Sequence, residues 1–404
     1  MSTDTSSCSR AFPLCTKSFR YCPKMVMEWC PTKKSLVTRG ASSHEYLHWY
    51  FNILVVICII GFGSSAYVVL DASNLSIDRV VLAAMLGSVS VFVWTSSYLL
   101  TKNIDDLLLG VQATRSLKKQ IEERYFSTTI NLNLDKYWEA VSEILCISVA
   151  ILAIIPMILP GLGIYAELDP FFCTFYKLVP THIICGDDKV CTYFTNFIIL
   201  FARIIVVIIC VSESCRFCAF YLSFIGFKFE LTSKTLGVIS NIPLTVSQEL
   251  NIYSDFFKYY NALRLVDQSA NEAISQLLAF LLGCGFVVFL ICNMITLKCF
   301  HTMPIHVYWL APTVSLICLF LMFFLIPLII NINRESIKLG ERRRKMLAFS
   351  KCWGARRKLM QLRMKCFYPI SFKCGNIKME TGLDRMYFYG IFLRTLDCLL
   401  LPIF

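Results

Sequence analysis

Charged residues occur inside two of the most apolar stretches of the sequence. Arg203 lies in the middle of a long apolar run, and Arg394 and Asp397 lie three residues apart near the C-terminal end. In a helix, this spacing places the last two side chains on one face, where they can form an ion pair. An ionisable side chain in hydrocarbon is costly and normally lines water or finds a partner. Two interpretations stay open for both places: structural pairing, or a polar contact for an ion or a ligand.

No pattern typical of an enzyme active site accompanies these charges. The sequence contains no glycine-rich phosphate loop, no HExxH zinc-protease motif and no GxSxG nucleophile motif. Four nearly evenly spaced cysteines precede residue 31, but this stretch has no CxxC pair of the kind that binds zinc. We therefore expect no enzymatic activity, no bound metal and no cofactor.

The composition indicates an integral membrane protein. Hydrophobic residues make up 56% of the 404 residues and charged residues only 16%, and the mean hydropathy is +0.62. Soluble domains carry about 25% charged residues. The net charge of +12 would suggest a nucleic acid as partner if it lay in a soluble domain, but here its distribution along the chain is more informative than its size.

Seven apolar segments are candidates to cross a membrane. A transmembrane helix needs about 20 apolar residues, and six segments meet this length, while the seventh is shorter and carries Arg394 and Asp397. The predicted spans are 49–70, 80–100, 141–165, 191–212, 273–297, 307–330 and 386–404. The chain is accordingly divided into an N-terminal segment, 1–48, and a seven-helix domain, 49–404.

The positions of Lys and Arg predict which way these helices face. If the N-terminus is cytoplasmic, most of the 39 basic residues fall on the inside, in agreement with the positive-inside rule. The outer loops then hold only Arg79, Lys177, Lys189 and Lys298. The basic run 340–375 is expected to meet anionic lipids of the inner leaflet rather than nucleic acid. The sequon at Asn74 falls in the first outer loop and is a candidate glycosylation site.

Two of the predicted helices are longer than the membrane is thick. No proline interrupts 193–225, and apolar residues recur at helical spacing from 252 to 266, after the nearest preceding proline at 243. The second pattern predicts one helix from about 247 to 297, which would project roughly 35 Å beyond the bilayer. Its apolar stripe needs neighbouring helices, from the same chain or another subunit, or else the lipid surface.

Short motifs accompany this organisation. They are YPISFKCG at 368–375, TGLDRMY at 381–387, and the weaker YYNALRLVD at 259–267 and LDPF at 168–171. Together with the seven spans, they resemble the insect-type chemoreceptor superfamily, the gustatory and odorant receptors of arthropods. The last helix departs from the gustatory pattern, because Met386 replaces a threonine and no glutamine precedes a phenylalanine at its end. The resemblance is to a divergent member, from a non-model hexapod.

The resemblance implies an all-α membrane protein with seven transmembrane helices, a cytoplasmic N-terminus, an extracellular C-terminus and helices four to six extended into the cytoplasm. It implies a ligand-gated non-selective cation channel, built as a homo- or hetero-tetramer with or without a co-receptor subunit. The ligand would be a small organic tastant or odorant, and the location the plasma membrane of sensory neurons.

The same resemblance assigns roles to individual residues. A ligand pocket in the outer half of the bundle would include Ile154, Met157, Phe194, Phe197, Arg203, Phe286, Asn293, Tyr308, Trp309 and Thr313. The last helix would line the pore, with an acidic ring of Asp397 beside Arg394 and a constriction formed by Leu396, Leu399 and Leu400. An inter-subunit anchor would include Tyr260, Leu263, Phe372, Cys374 and Gly375.

Some features of the sequence leave alternatives open. A disulfide is expected among the outer cysteines Cys173, Cys185 and Cys191, with its connectivity undetermined. A secondary transporter is the second functional hypothesis, although no internal repeat of the kind common in that class is visible. A membrane scaffold without channel activity is the third. A G-protein-coupled receptor is disfavoured because its N-terminus would lie on the opposite side of the membrane.

Overall fold

A computed structural model describes most of the chain, in stretches separated by short gaps. The described residues are 6–30, 35–38, 44–71, 77–125, 132–165, 171–172, 174–175, 189–242, 249–298, 301, 305–349, 355–380 and the single positions 386, 390, 393, 394 and 397. Over these residues the chain is almost entirely helical, with two small two-stranded antiparallel sheets.

The elements follow one another in a simple up-and-down order. The N-terminal segment holds a 3₁₀ turn (Ser7–Arg10), α1 (Ala11–Ser18), β1 (Met27–Cys30) and β2 (Ser35–Thr38). One continuous helix then combines α2 (His44–Phe51), a π-helical stretch (Asn52–Phe62) and α3 (Gly63–Leu70). The remaining helices are α4 (Ile77–Tyr125), α5 (Leu132–Tyr165), α6 (Lys189–Ser240), α7 (Glu249–Lys298), α8 (Ile305–Tyr308), α9 (Leu310–Phe349) and α10 (Ala355–Lys365), and they are followed by β3 (Lys373–Cys374) and β4 (Ile377–Lys378).

Six helices in the described part of the chain are long and apolar enough to cross a membrane. They coincide with the first six predicted spans, which confirms the prediction of an all-α membrane protein. The seventh predicted span, 386–404, lies largely outside the described residues, although its five described positions are helical.

Four helices run far beyond membrane thickness. Helices α6, α7 and α9 contain 52, 50 and 40 residues, so the predicted extension of helices four to six is present. The residues between the predicted spans 80–100 and 141–165 do not form one long loop, because α4 extends to Tyr125 and α5 begins at Leu132. The extension of α4 has a buried stripe of Leu107, Val111 and Ile121, the partnered apolar face that an amphipathic helix needs.

The two ends of the bundle differ in construction. We call the end built by the extensions of α4, α5, α6, α7 and α9 the long-helix end. We call the opposite end the short-loop end, where the connections around 71–76 and 299–304 are short. One continuous hydrophobic core runs through most of the bundle, with members from Cys8 to Met379 that include Phe171 after α5.

Glycines allow the closest helix contacts in this bundle. A Cβ atom on Gly110 of α4 would lie 2.7 Å from the Cβ of Ala270 on α7, and one on Gly226 would lie 2.4 Å from a methyl of Leu145 on α5. Both distances are shorter than a normal carbon contact of about 3.5–4.0 Å. Gly226, the residue after the stretch 193–225, is therefore a packing position inside α6.

A buried ion pair connects three helices at the long-helix end. The Nζ of Lys228 on α6 lies 2.8 Å from Oδ1 of Asp267 on α7, and it also donates to Oγ1 of Thr114 on α4 at 2.8 Å. Thr232 donates to the same carboxylate oxygen at 3.3 Å. Both charged side chains are less than a twentieth exposed, so each depends on the other for compensation.

A second buried cation holds the end of α6. The guanidinium of Arg343 on α9 donates to the carbonyls of Ile239, Ser240 and Ile242 at 3.1, 3.0 and 3.2 Å. It also lies over the ring of Phe256 on α7, 4.6 Å from the ring centre. The last carbonyls of a helix have no partner within the helix, and Arg343 supplies donors for them from a neighbouring helix.

The C-terminal hairpin packs into the same end. Gly375 adopts a φ of 60° at the turn between β3 and β4, a conformation that favours glycine, and its N–H donates to the carbonyl of Ser275 on α7 at 3.4 Å. Phe372 lies 4.8 Å from the ring of Phe229. The hydroxyl of Tyr260 on α7 donates to the carbonyl of Tyr368 at 2.8 Å.

The residues predicted for an inter-subunit anchor all lie at the long-helix end of the chain. Tyr260, Leu263 and Phe372 are buried among the residues of their own chain, while Cys374 is half-buried and Gly375 forms the hairpin turn. Tyr260, Leu263 and Phe372 thus belong to the interior of the long-helix end, Cys374 and Gly375 lie nearer its surface, and their role between subunits stays a prediction.

The N-terminal segment is folded against the helices rather than extended. Phe12 stacks on Trp29 with ring centres 5.1 Å apart and meets the edge of Phe227 on α6 at 5.8 Å. Burial raises the pKa of the Cys15 thiol to about 12, so this cysteine serves as a small apolar side chain. The aromatic contacts make residues 6–30 a part of the core.

One carboxylate fastens the beginning of this segment. Glu230 on α6 is fully buried and accepts hydrogen bonds from the N–H groups of Ser7 and Cys8, both at 2.8 Å, and from the hydroxyl of Ser6. A carboxylate at the N-terminal end of a helical turn satisfies donors that have no partner within the turn. Lys234 balances its charge at 2.9 Å.

We expect Lys228→Met to lower the thermal stability of the detergent-purified chain strongly, because it leaves the Asp267 carboxylate buried without its cation. Such losses amount to about 3–5 kcal/mol. The double variant Lys228→Met with Asp267→Leu should recover much of the loss, and Lys119→Met, in an exposed pair with Glu123, should change stability by less than about 1 kcal/mol. Melting followed by size-exclusion chromatography measures this, and a double variant as unstable as the single one would contradict it.

We expect Glu230→Ala to release the N-terminal segment, because its loss leaves the N–H groups of Ser7 and Cys8 buried without an acceptor. Limited trypsin digestion at Arg10, Lys17 and Arg20 should then become several-fold faster. The control is Glu335→Ala, which removes a carboxylate from an exposed pair with Lys338 and should leave digestion unchanged. Equal digestion rates for the two variants would exclude a fastening role for Glu230.

Candidate functional site

The short-loop end contains a phenylalanine between two arginines. The guanidinium carbon of Arg203, on α6, lies 4.8 Å from the ring centre of Phe172, and that of Arg79, on α4, lies 5.3 Å from the same ring. Arg203 is only 3% exposed, and Phe172 also packs against Val68 and Ala83. A cation over a ring in a desolvated place is favourable by about 2 kcal/mol. The ring thus joins α3, α4 and α6.

A second group of side chains lies between α4, α7 and α9. Its buried members are Val81, Cys292, Ile295 and Ala311, and half-buried residues such as Tyr308 pack around them. Polar contacts cross the same region. The hydroxyl of Ser315 donates to Oδ1 of Asn293 at 2.7 Å, and the hydroxyl of Tyr308 donates to the carbonyl of Thr296 at 2.7 Å.

The apolar side chains at the short-loop end pack in separate groups rather than in one core, an arrangement that we call the divided packing. Among the described residues, the group around Phe172 and the group around Cys292 are separate from each other and from the continuous core. A small organic ligand needs mostly apolar walls and a few polar groups that orient it. The divided packing, with Asn293, Ser315, Tyr308 and Arg203 as polar groups, offers both at one end of the bundle.

The predicted pocket residues separate into two sets. Arg203 is buried, while Phe286, Asn293 and Tyr308 are half-buried and face neighbouring helices. The rest are exposed on the surface of the chain: Ile154, Met157, Phe194, Phe197, Trp309 and Thr313. Because lipid is as apolar as a leucine side chain, hydrophobicity does not mark the inward face of a membrane helix. The exposed set faces away from the interior of this single chain, and its place in a ligand pocket stays a prediction.

Sequence reasoning missed other residues at this end. Phe172 follows the LDPF motif at 168–171, and Ser315 is a polar residue in the apolar sequence of α9. A polar side chain within a membrane helix generally seeks a partner on a neighbouring helix. This signal could have paired Ser315 with Asn293, whereas nothing in the sequence places Phe172 between two arginines.

The charged pair near the C-terminal end is formed as its spacing predicts. Nη1 of Arg394 lies 3.6 Å from Oδ2 of Asp397, and the two side chains are 71% and 62% exposed. They therefore point away from the core of their own chain. The other predicted pore residues, Leu396, Leu399 and Leu400, lie outside the described residues.

Two further predictions concern the short-loop end. Cys191 at the start of α6 is disulfide-bonded, and the other described cysteines form no disulfide, so its partner lies outside the described residues. Cys173, Cys185 and the candidate glycosylation site Asn74 also lie outside them.

Comparison with known proteins yields structural likeness without sequence likeness. No profile of a known protein family and no curated protein sequence matches the chain. The fold is similar to that of the insect olfactory receptor OR5 from Machilis hrabei, with a TM-score of 0.57 and 11% sequence identity over 97% of each chain. The structure of the same receptor in complex with eugenol gives a TM-score of 0.58 and 9% identity over 97% of each chain.

We expect Phe172→Leu to lower the melting temperature of the purified chain more than Phe172→Tyr, because only the leucine removes the ring face beside Arg79 and Arg203. Each cation–ring contact is worth about 1–2 kcal/mol in such surroundings. Phe197→Leu is the matched control, since the Phe197 ring is 64% exposed. Equal melting temperatures for the two Phe172 variants would show that the ring face does not contribute.

Proposed function

Because the chain has the fold of an insect olfactory receptor, we propose that it is a chemosensory receptor, in which a small organic ligand opens a pore for cations. The observation that carries this proposal is a likeness that extends over nearly the whole length of both chains, with six membrane-spanning helices in the described part. The sequence motifs at 368–375 and 381–387 support the same assignment.

The ligand site in this proposal is the divided packing of the short-loop end, which faces the cell exterior. The solved complex of the similar receptor holds eugenol, a small and largely apolar phenol. Asn293, Ser315 and Tyr308 would supply hydrogen bonds for a single polar group on such a ligand, and the apolar residues around Cys292 would contact its body. A buried cation, Arg203, adds a preference for an electron-rich ring or an oxygen atom.

The pore in this proposal is formed by the last helix of several subunits. Arg394 and Asp397 are exposed on the single chain, which is what a surface facing a shared, water-filled space requires. Repeated in a tetramer, Asp397 would form an acidic ring that favours cations. The long-helix end would lie in the cytoplasm and associate with the same region of the other subunits, at the plasma membrane of sensory neurons.

Expression of the chain in cells, alone and with a co-receptor subunit, tests the proposal by recording current while a panel of small organic molecules is applied. We expect ligand-evoked cation current. Asp397→Asn should shift the reversal potential towards lower cation selectivity, because it removes the acidic ring, whereas Glu335→Gln, at an exposed position of the long-helix end, should not. No evoked current from surface-expressed protein would argue against a channel, and an unchanged reversal potential would argue against the ring.

A further inference from the structure

A groove lies between α5 and α6, and its lining includes none of Arg203, Asn293, Tyr308 and Ser315. Its volume is about 630 Å³. One wall is formed by Leu200, Ile204 and Ile208 of α6, and the other by α5 around Pro160 and Gly161. Both helices are membrane-spanning in this region, so the molecules that can enter the groove from the side are those of the bilayer.

The sequence explains why a groove forms here. Leu200, Ile204 and Ile208 are spaced by four residues, and this spacing places them in one row along α6. On the facing helix, Gly161 has no side chain, and a Cβ atom at that position would have no neighbour within 4 Å. The row and the glycine leave an apolar, flat-sided space between two helices that pack closely nearer the long-helix end, where Gly226 meets Leu145.

One end of the groove is polar but carries no charge. Ser212 is 2% exposed and lines the groove together with Tyr21. Its hydroxyl has no hydrogen-bond partner among the described residues. Tyr21 faces it without forming a hydrogen bond of ordinary geometry. A buried hydroxyl without a partner is unfavourable, and a ligand hydroxyl that entered beside Tyr21 would supply that partner.

The charged residues beside Ser212 already have partners outside the groove. Glu213 and Arg216 pair with each other, and Arg216 also donates to the carbonyl of Pro23, which holds the chain that carries Tyr21. Neither charged side chain lines the groove. The groove therefore offers a phospholipid headgroup no cation, but it offers a single hydroxyl a partner.

We propose that the α5–α6 groove is a binding site for a membrane sterol. The sterol hydroxyl would bond to Ser212 and Tyr21, and its rigid, flat ring system would lie along the row from Ile208 to Leu200. The lining from 200 to 212 spans roughly 18 Å of helix, which suits an elongated molecule lying parallel to the helices. A rigid ring system also loses less conformational freedom on binding than a flexible acyl chain does.

This site depends on insertion of the chain in a membrane and not on the channel activity. Its lining residues include Met157, which was predicted for the odorant pocket but is exposed on the chain surface. A bound sterol would touch α5, α6 and the N-terminal segment at once, and so would hold the segment that Glu230 fastens at its other end.

The test uses the full chain in nanodiscs with a photoactivatable cholesterol probe, and the labelled peptides are identified by mass spectrometry. We expect labels on peptides containing residues 156–164 or 200–212, and competition by unlabelled cholesterol. Gly161→Leu should fill the groove and reduce labelling at least fivefold. Its control is Gly163→Leu, at an equally open position of the same helix that does not line the groove, and labelling should be retained.

Further comparisons identify which chemical group of the lipid is recognised. Ser212→Ala should weaken competition by cholesterol roughly fivefold, the loss expected for one hydrogen bond, and should not alter competition by a sterol whose hydroxyl is methylated. Stronger labelling by a photoactivatable phosphatidylcholine than by the sterol would replace the proposal with an acyl-chain site. Labelling outside the groove, or equal labelling of both glycine variants when each elutes as a monodisperse protein, would overturn it.

Discussion

The ion pair between Lys228 and Asp267 is the interaction on which the long-helix end depends. It lies where α4, α6 and α7 meet, beyond the apolar segments, and it replaces water as the partner of two charges. An apolar contact between helices tolerates sliding by a turn, but a buried charge bonded to one carboxylate and one threonine does not. The pair therefore sets the register of three helices, and the close approach of Gly110 on α4 to Ala270 on α7 lies between two of them.

Helix existence and length could be predicted where the sequence shows a single pattern. The bounds of α7 were predicted to within about two residues, because a proline precedes it and apolar residues recur at helical spacing. The extension of α4 was missed because Asp105, Asp106 and several basic residues make the stretch look like a polar loop. The buried stripe of this extension is narrow, and only its packing against α7 shows that these residues form one face of a helix.

The candidate site could be predicted far less well than the fold. In water, burial follows hydrophobicity, but in lipid the outward face of a helix is as apolar as the inward one. Phe194 and Phe197 were therefore indistinguishable from Phe286 in the sequence, although they are largely exposed and Phe286 packs against the core. Polar residues were better indicators: Arg203, Asn293 and Tyr308 all face neighbouring side chains. Residues 6–30 lie outside the predicted spans and still contribute Phe12 and Trp29 to the core.

Arg343 has a mechanical consequence. Its side chain reaches from α9 to three carbonyls at the end of α6 and lies over a ring of α7. A rotation of α9 about its own axis would move the guanidinium away from these carbonyls. Its N–H donors would then be buried without acceptors, and the rotated state would be much higher in free energy. The hydrogen bonds of Arg343 therefore couple the inner part of α9 to the end of α6. A rotation of one helix about its axis is transmitted to the other through these bonds.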